Sequence, residues 1–242
     1  MRRSGDILLE ICVDDLAGIE AAMKGGAGRV ELCSALPLGG LTPSFGLMNL
    51  AATFDIVCNA MIRPRAGDFV YSEEELDVML ADIAAARSAG LAGVVLGASL
   101  PDGRLDRFAL ETLVKAADDL DLTLHRAFDL VPDIAEAVEL AVTLGFSRIL
   151  TSGRAKSAAE GLDGLKQAMT AARGRISIMP GSGIDHRSVG AVRALGVTEV
   201  HASCSAPAET PPERIAVFGF ASPSARRTDP AKVASLRKAL DA

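Results

Sequence analysis

Tryptophan is absent from this chain of 242 residues, tyrosine occurs once and histidine three times. So few aromatic rings leave no stacking platform for bases. With a net charge of −6 and no basic run, this argues against nucleic acid as a partner. No apolar run reaches the ~18 residues of a membrane span. Met1-Arg2-Arg3-Ser4-Gly5-Asp6 leads into a strand without the apolar segment of a signal peptide, so the expected compartment is the cytoplasm. Four scattered cysteines do not make a disulfide framework.

What is present is an apolar content of 49%, enough for one large α/β domain. Short β-branched runs alternate with longer Ala/Leu-rich segments. The pattern predicts strands at 7–13, 29–34, 56–63, 93–97, 122–127, 148–152, 175–180 and 199–203. Helices are predicted at about 15–25, 44–54, 73–89, 106–119, 133–144, 156–173, 186–195 and 230–241. Strict alternation implies βαβ units and a parallel sheet, and eight units at this length predict a TIM-type (β/α)8 barrel in a single domain. Ser72 with Glu75 forms a capping box, Asp106 and Asp133 are N-caps, and Gly90, Gly145 and Gly196 close helices. The Pro/Ala/Ser-rich segment 204–228 reads as a long loop that covers the barrel mouth or meets a neighbouring subunit.

The triplet Glu-x-Cys occurs twice, as Glu10-Ile11-Cys12 and Glu31-Leu32-Cys33, in successive strands. Strand alternation puts Glu and Cys on one face and the aliphatic residues on the other. A carboxylate and a thiol are poor core material, so the polar face marks a site inside the barrel. The same parity adds Asn59, Met61 and Arg63 from strand three, and Thr123 and His125 from strand five. It adds Thr151 from strand six, Ser177 and Met179 from strand seven, and Glu199, His201 and Ser203 from strand eight. Active sites of such barrels sit at the strand C-terminal ends. Glu10, Glu31, Arg63, His125 and His201 are therefore the candidate catalytic residues. The glutamates are expected to pair with Arg63 or a histidine, because unpaired buried charge is costly.

Gly181-Ser182-Gly183 follows strand seven and Thr151-Ser152-Gly153 follows strand six. Both suit an anion, since glycines let backbone N–H groups approach a phosphate or carboxylate. Arg63 and Arg65 form a candidate clamp for an anionic substrate, and Asp129 and Ser203 join the candidate binding set. Cys12 and Cys33, on neighbouring strands ~4.8 Å apart, are candidate metal ligands, with Met61, Met179, His125 and His201 on the same face. Thiolate and thioether favour Cu(I), but CxxC and HxH are absent. Cys58 is expected in the core, and Cys204 is a candidate reactive thiol.

The strings LEICVDD, RVELCSALPLGGLTPSFG, MIRPRAGDFVYSEEE, GVVLGASLPDGRLD, LHRAFDLVPD, RILTSGRAKSAAEG, ISIMPGSGI and EVHASC resemble the CutC family of copper homeostasis proteins, from about residue 7 to 204. The resemblance implies a TIM-type barrel, a cytoplasmic location, a homodimer or other homo-oligomer, and a role in copper handling through Cu(I), with Cys12 and Cys33 matching the cysteines proposed as its ligands. This chain has Gly-Ser-Gly where many relatives have Gly-Gly-Gly. Two functions therefore stand side by side. One is a cytosolic Cu(I)-binding protein. The other is a metal-independent enzyme that acts on a small phosphorylated or carboxylated metabolite by Glu/His acid–base chemistry.

Overall fold

A computed structural model describes residues 7–222 and 224–242, so the leading segment 1–6 lies outside the described residues. Eight parallel strands form one sheet: β1 (Leu8–Val13), β2 (Arg29–Leu32), β3 (Val57–Met61), β4 (Gly93–Leu96), β5 (Asp121–Leu124), β6 (Arg148–Thr151), β7 (Ser177–Pro180) and β8 (Glu199–Ala202). Their order is β7-β6-β5-β4-β3-β2-β1-β8, which brings β7 and β8 side by side and makes a nearly closed barrel. Helices α1 (Leu16–Lys24), α2 (Phe45–Ala51), α3 (Glu73–Ser88), α4 (Arg107–Ala117), α5 (Ile134–Leu144), α6 (Leu162–Ala172) and α7 (Val189–Arg193) follow strands one to seven in turn. The (β/α)8 barrel expected from the sequence is what the chain forms.

Local chemistry sets the helix starts. Ser72 accepts from the Glu75 N–H while Glu75 reaches back to the Ser72 N–H, which closes a capping box on α3. Asp106 caps α4 and Asp133 caps α5. The sixth helix was expected from 156 but starts at Leu162, because the chain before it is held as a loop, with the Ala155 carbonyl on the Ser152 hydroxyl and the Ala158 N–H on the Ser182 carbonyl. His186, expected to open the seventh helix, is exposed in the turn before it.

The segment 204–228 is not the plain loop expected. Strands β9 (Ser205–Pro207) and β10 (Arg226–Thr228) pair antiparallel, with the short helix α8 (Glu213–Val217) between them, before α9 (Pro230–Asp241). This ribbon exposes Val217, Phe218 and Phe220.

The core has two layers. Leu9, Ile11, Val30, Leu32, Cys58, Ile149 and Val200 face outward onto Ile19, Met79, Ile83, Leu110 and Val138 of the helices. The inward face is largely polar, with one small apolar cluster of Cys33, Met61 and Val95. That division makes the strand parity visible. It also corrects strand six, whose inward residues are Arg148 and Leu150 rather than Thr151.

Candidate functional site at the barrel mouth

The barrel floor is built by charges at the first residues of four strands. Arg29 opens β2, Asp121 opens β5, Arg148 opens β6 and Glu199 opens β8. Arg148 binds Asp121 at 2.5 Å and Glu199 at 3.1 Å, and Arg29 binds Glu199 at 2.5 Å. Register sets Glu10 beside both Arg29 and His201. Glu10 is fully buried and accepts from Arg29 on one oxygen and meets His201 Nδ1 at 2.8 Å on the other.

His201 Nε2 then lies 3.7 Å from Glu31, so an unbroken chain of ion pairs runs from the floor to the mouth. Burial alone would raise the pKa of Glu10, but the His201 hydrogen bond and the Arg29 charge outweigh it and hold the carboxyl at about 2. Burial works against a charge on His201, yet Glu31, Cys12 and Glu10 together push its pKa well above the usual imidazole range. Glu31 moves the other way from Glu10. Burial raises its pKa, only partly opposed by His201, and the nearby Glu10 charge adds to the rise. Its Oε2 accepts from the Cys33 thiol at 3.5 Å, and its buried Oε1 has no hydrogen-bond partner.

Above this chain is a cavity of about 480 Å³, lined by Cys12, Glu31, Met61, Arg63, His125, Leu150, His201 and Ser203 from the strand ends. Leu36, Leu38, Phe69 and Ser182 to Ile184 add loop walls. Volume and position suit a small metabolite.

Four of the five candidate catalytic residues, Glu31, Arg63, His125 and His201, line the cavity, and Glu10 lies directly behind His201. Of the two partners expected for the glutamates, the histidine is the one found, as His201, and Arg63 does not pair with them. Its Nη1 donates to the carbonyls of Leu38 and Gly40, and its Nη2 to that of Gly67, so the guanidinium ties together the loops after β2 and β3. Among the described residues no carboxylate neutralises it. Arg65, the expected second arm of a clamp, is instead held outside the cavity by Glu75 and Asp68.

His125 follows β5 and caps a 3-10 turn at Arg126–Leu130 through its ring, with Nδ1 accepting the Ala127 N–H at 3.2 Å. Its Nε2 is buried without a partner. Burial, with the Arg63 charge added, lowers its pKa to about 3, so the ring is neutral.

The strand-six loop is not open to an anion. Asp129 fills it, accepting from the Thr151 hydroxyl at 2.5 Å and from the N–H groups of Ser152 and Arg154 at 3.0 and 3.1 Å. The Gly153 N–H is taken by the Thr151 hydroxyl. Asp129, Thr151, Ser152 and Gly153 thus satisfy one another. At strand seven, Ser182 adopts φ +75° and its hydroxyl donates to the Lys156 carbonyl, while Ser182 and Gly183 still line the cavity. Gly181 lies behind them, its N–H bound to the Thr151 carbonyl.

The two strand cysteines separate. One ligand atom each of Cys12, Glu31 and His201 lie within 4.8 Å of one another, and Cys33 is not in that group. The Cys33 thiol is fully buried, and burial followed by the Glu31 charge pushes its pKa well above the usual range. Cys58 is in the core as expected. Cys204 is buried rather than reactive, its pKa pushed up to about 12 by desolvation.

Sequence reading missed Arg29, Asp121 and Arg148. Arg29 stands two residues before Glu31, and Glu199 two before His201, so parity carried one step further back would have found the floor. Phe69 and the loop around Leu36 and Leu38 carry no chemical signature.

Fold and cavity together define a (β/α)8 barrel with a buried carboxylate–imidazole pocket at its C-terminal mouth. The chain belongs to the CutC family, whose model matches residues 7–206. It is 59% identical over 237 residues to the family protein CutC of Rhizobium meliloti (strain 1021), covering 98% of this chain and 97% of that one. It is 46% identical over 198 residues to the copper homeostasis protein cutC homolog of Mus musculus, covering 81% and 73% of the two chains. A crystal structure of CutC from Streptococcus agalactiae superposes with a TM-score of 0.78 at 34% identity, over 81% of this chain and 98% of that one.

Proposed function

We propose that the mouth cavity is an enzyme active site that moves a proton on a small anionic metabolite, with Glu31 and His201 as the acid–base pair. The observation that carries this reading is the charge count of the linked network. Four carboxylates (Asp121, Glu199, Glu10, Glu31) face two guanidiniums and one imidazole. Even with His201 protonated the network is one positive charge short, and Glu31, next to the cavity and with a free oxygen, is where a proton or its loss is felt. A carboxyl with a raised pKa is suited to exchanging protons near neutral pH. Glu10 and Arg29 position His201 from behind. Arg63, whose partners are carbonyls alone, keeps the mouth positive for an anion.

A thermal-shift screen of phosphorylated and carboxylated metabolites tests this, since a ligand of the native state raises the melting temperature. Glu31→Gln should keep the shift of a true ligand while turnover drops ~10²–10⁴-fold. Turnover equal to wild type in that variant sinks the proposal.

One observation supports a second reading. The Cys12, Glu31 and His201 group, in a chain whose relatives include a protein named for copper homeostasis, supports Cu(I) binding. The fit is partial. Cys12 offers the soft thiolate Cu(I) favours, but His201 would first have to give up the proton that its neighbouring carboxylates hold. Cys12 and His201 would hold the ion, with Glu31 beside them, and a cytoplasmic, reducing compartment suits the four free thiols. Anaerobic Cu(I) titration against a chromogenic competitor should show Cys12→Ser losing the ion and Cys33→Ser keeping it. Equal affinity in Cys12→Ser and wild type removes this reading.

A further inference from the structure

Resting on the acid–base reading, we infer that the substrate is a ketone or aldehyde and that His125 holds its carbonyl oxygen while Glu31 takes a proton from the adjacent carbon. The reaction class is enolisation, leading to isomerisation.

The argument starts from the tautomer of His125. The Ala127 N–H donates to Nδ1, so that nitrogen must present its lone pair, and in a neutral ring the proton sits on Nε2. Nε2 is therefore a donor, and it is buried, unpartnered and on a residue that lines the cavity. A residue only 3% exposed does not leave a donor unused without cost, unless a ligand supplies the acceptor.

The ring is closely packed. On one side is Gly97, where a Cβ would sit 2.6 Å from ring atoms, so only glycine admits the imidazole. Phe69 also packs on it, its centroid 4.7 Å from that of the ring, with the Arg63 guanidinium 5.1 Å over the Phe69 ring. This cationic neighbourhood opposes a second proton. A neutral imidazole N–H fixed in place stabilises an oxyanion by hydrogen bonding without giving its own proton away.

Two other cavity-lining residues have a buried atom without a partner: Arg63 Nε, a further donor, and Glu31 Oε1, an acceptor. A fixed donor and a free carboxylate oxygen, on two residues that line one small cavity, are the two groups that proton removal beside a carbonyl requires. In the step, the C–H bond breaks and its proton goes to Glu31 Oε1. The electron pair forms a carbon–carbon double bond, and the carbonyl π pair moves to the oxygen, which accepts from His125 Nε2–H. Return of the proton to the neighbouring carbon, as the hydroxyl proton of the enediol passes to the oxygen held by His125, completes isomerisation of an α-hydroxy carbonyl compound, with no oxidant or reductant.

The test uses glycolohydroxamate, a planar analogue of an enediolate, with the full chain. Calorimetry should show it binding wild type, and ¹H–¹⁵N spectra of the histidine rings should show the His125 Nε2–H signal moving downfield. His125→Phe, which keeps a ring between Gly97 and Phe69 but lacks the donor, should bind roughly tenfold or more weakly. His125→Gln, which restores an N–H, should recover part of that loss. Binding unchanged in His125→Phe overturns the inference. If in that case Glu31→Gln still abolishes turnover of a metabolite from the screen, the acid–base reading survives it. Failure of wild type to bind the hydroxamate at millimolar concentration overturns the carbonyl assignment.

Discussion

The imidazole of His125 gives up both water and a hydrogen bond if it takes a second proton, because Nδ1 already accepts the Ala127 N–H. Its pKa falls from 6.5 in the unfolded chain to about 3 in the fold. Between those values the unfolded state binds the extra proton, so stability from this site is complete above 6.5 and is lost as pH falls toward 3. The expected loss is on the order of a few kcal/mol. Urea unfolding as a function of pH should show a shallower decline over this range in His125→Phe than in wild type, and equal slopes would contradict the buried neutral ring. Glu10, Glu31 and His201 were legible from sequence because a charged residue on the inward parity of a strand has few structural excuses. The arginine that pairs with Glu10 was not. Arg63 sits in a motif rich in charge and drew the assignment, whereas Arg29, paired across the strands with Glu10, stands at a strand start where a cation looks solvated.

Among the elements, the strand-six loop shows how composition misleads. Thr151-Ser152-Gly153 has the residue types of an anion site, and it does bind a carboxylate, but the carboxylate is Asp129 from the turn after β5. Nothing local announces an internal occupant more than twenty residues upstream. Removing it should expose the loop. Asp129→Ala is expected to lower stability by about 3 kcal/mol, as N–H groups and the Arg126 charge lose their acceptor. Acetate should then restore part of the loss, read as a shift of the unfolding midpoint that wild type does not show. An acetate-independent midpoint in the variant would mean the loop rearranges to satisfy itself. The capped helices were legible for the opposite reason. Ser72 and Glu75, like Asp106 and Asp133, act on N–H groups within three residues of themselves.

Across the whole molecule, alternation of eight strands and eight predicted helices was enough to name the barrel, since parallel pairing of successive strands leaves few other closures. It failed at 204–228, where the strands are three residues long and the intervening turn is irregular. None of the described ribbon residues lines the mouth cavity. Ser205 and Thr228 are register partners, so the ends of the ribbon are adjacent. Replacing 206–227 by a short glycine linker should leave the melting temperature of the barrel nearly unchanged. A large drop would assign the ribbon a packing role its exposure does not suggest. Among the described residues no helix is long and apolar enough to cross a membrane. The ionic floor made by Arg29, Arg148, Glu199 and Asp121 has one more consequence. Among the described residues it fills the barrel at its far end, while the mouth cavity reaches Glu31 from the other. On the proposed proton transfer, a ligand seated there closes that entrance, and a hydrogen isotope lifted from its carbon is expected to return to the molecule it came from rather than wash out into solvent.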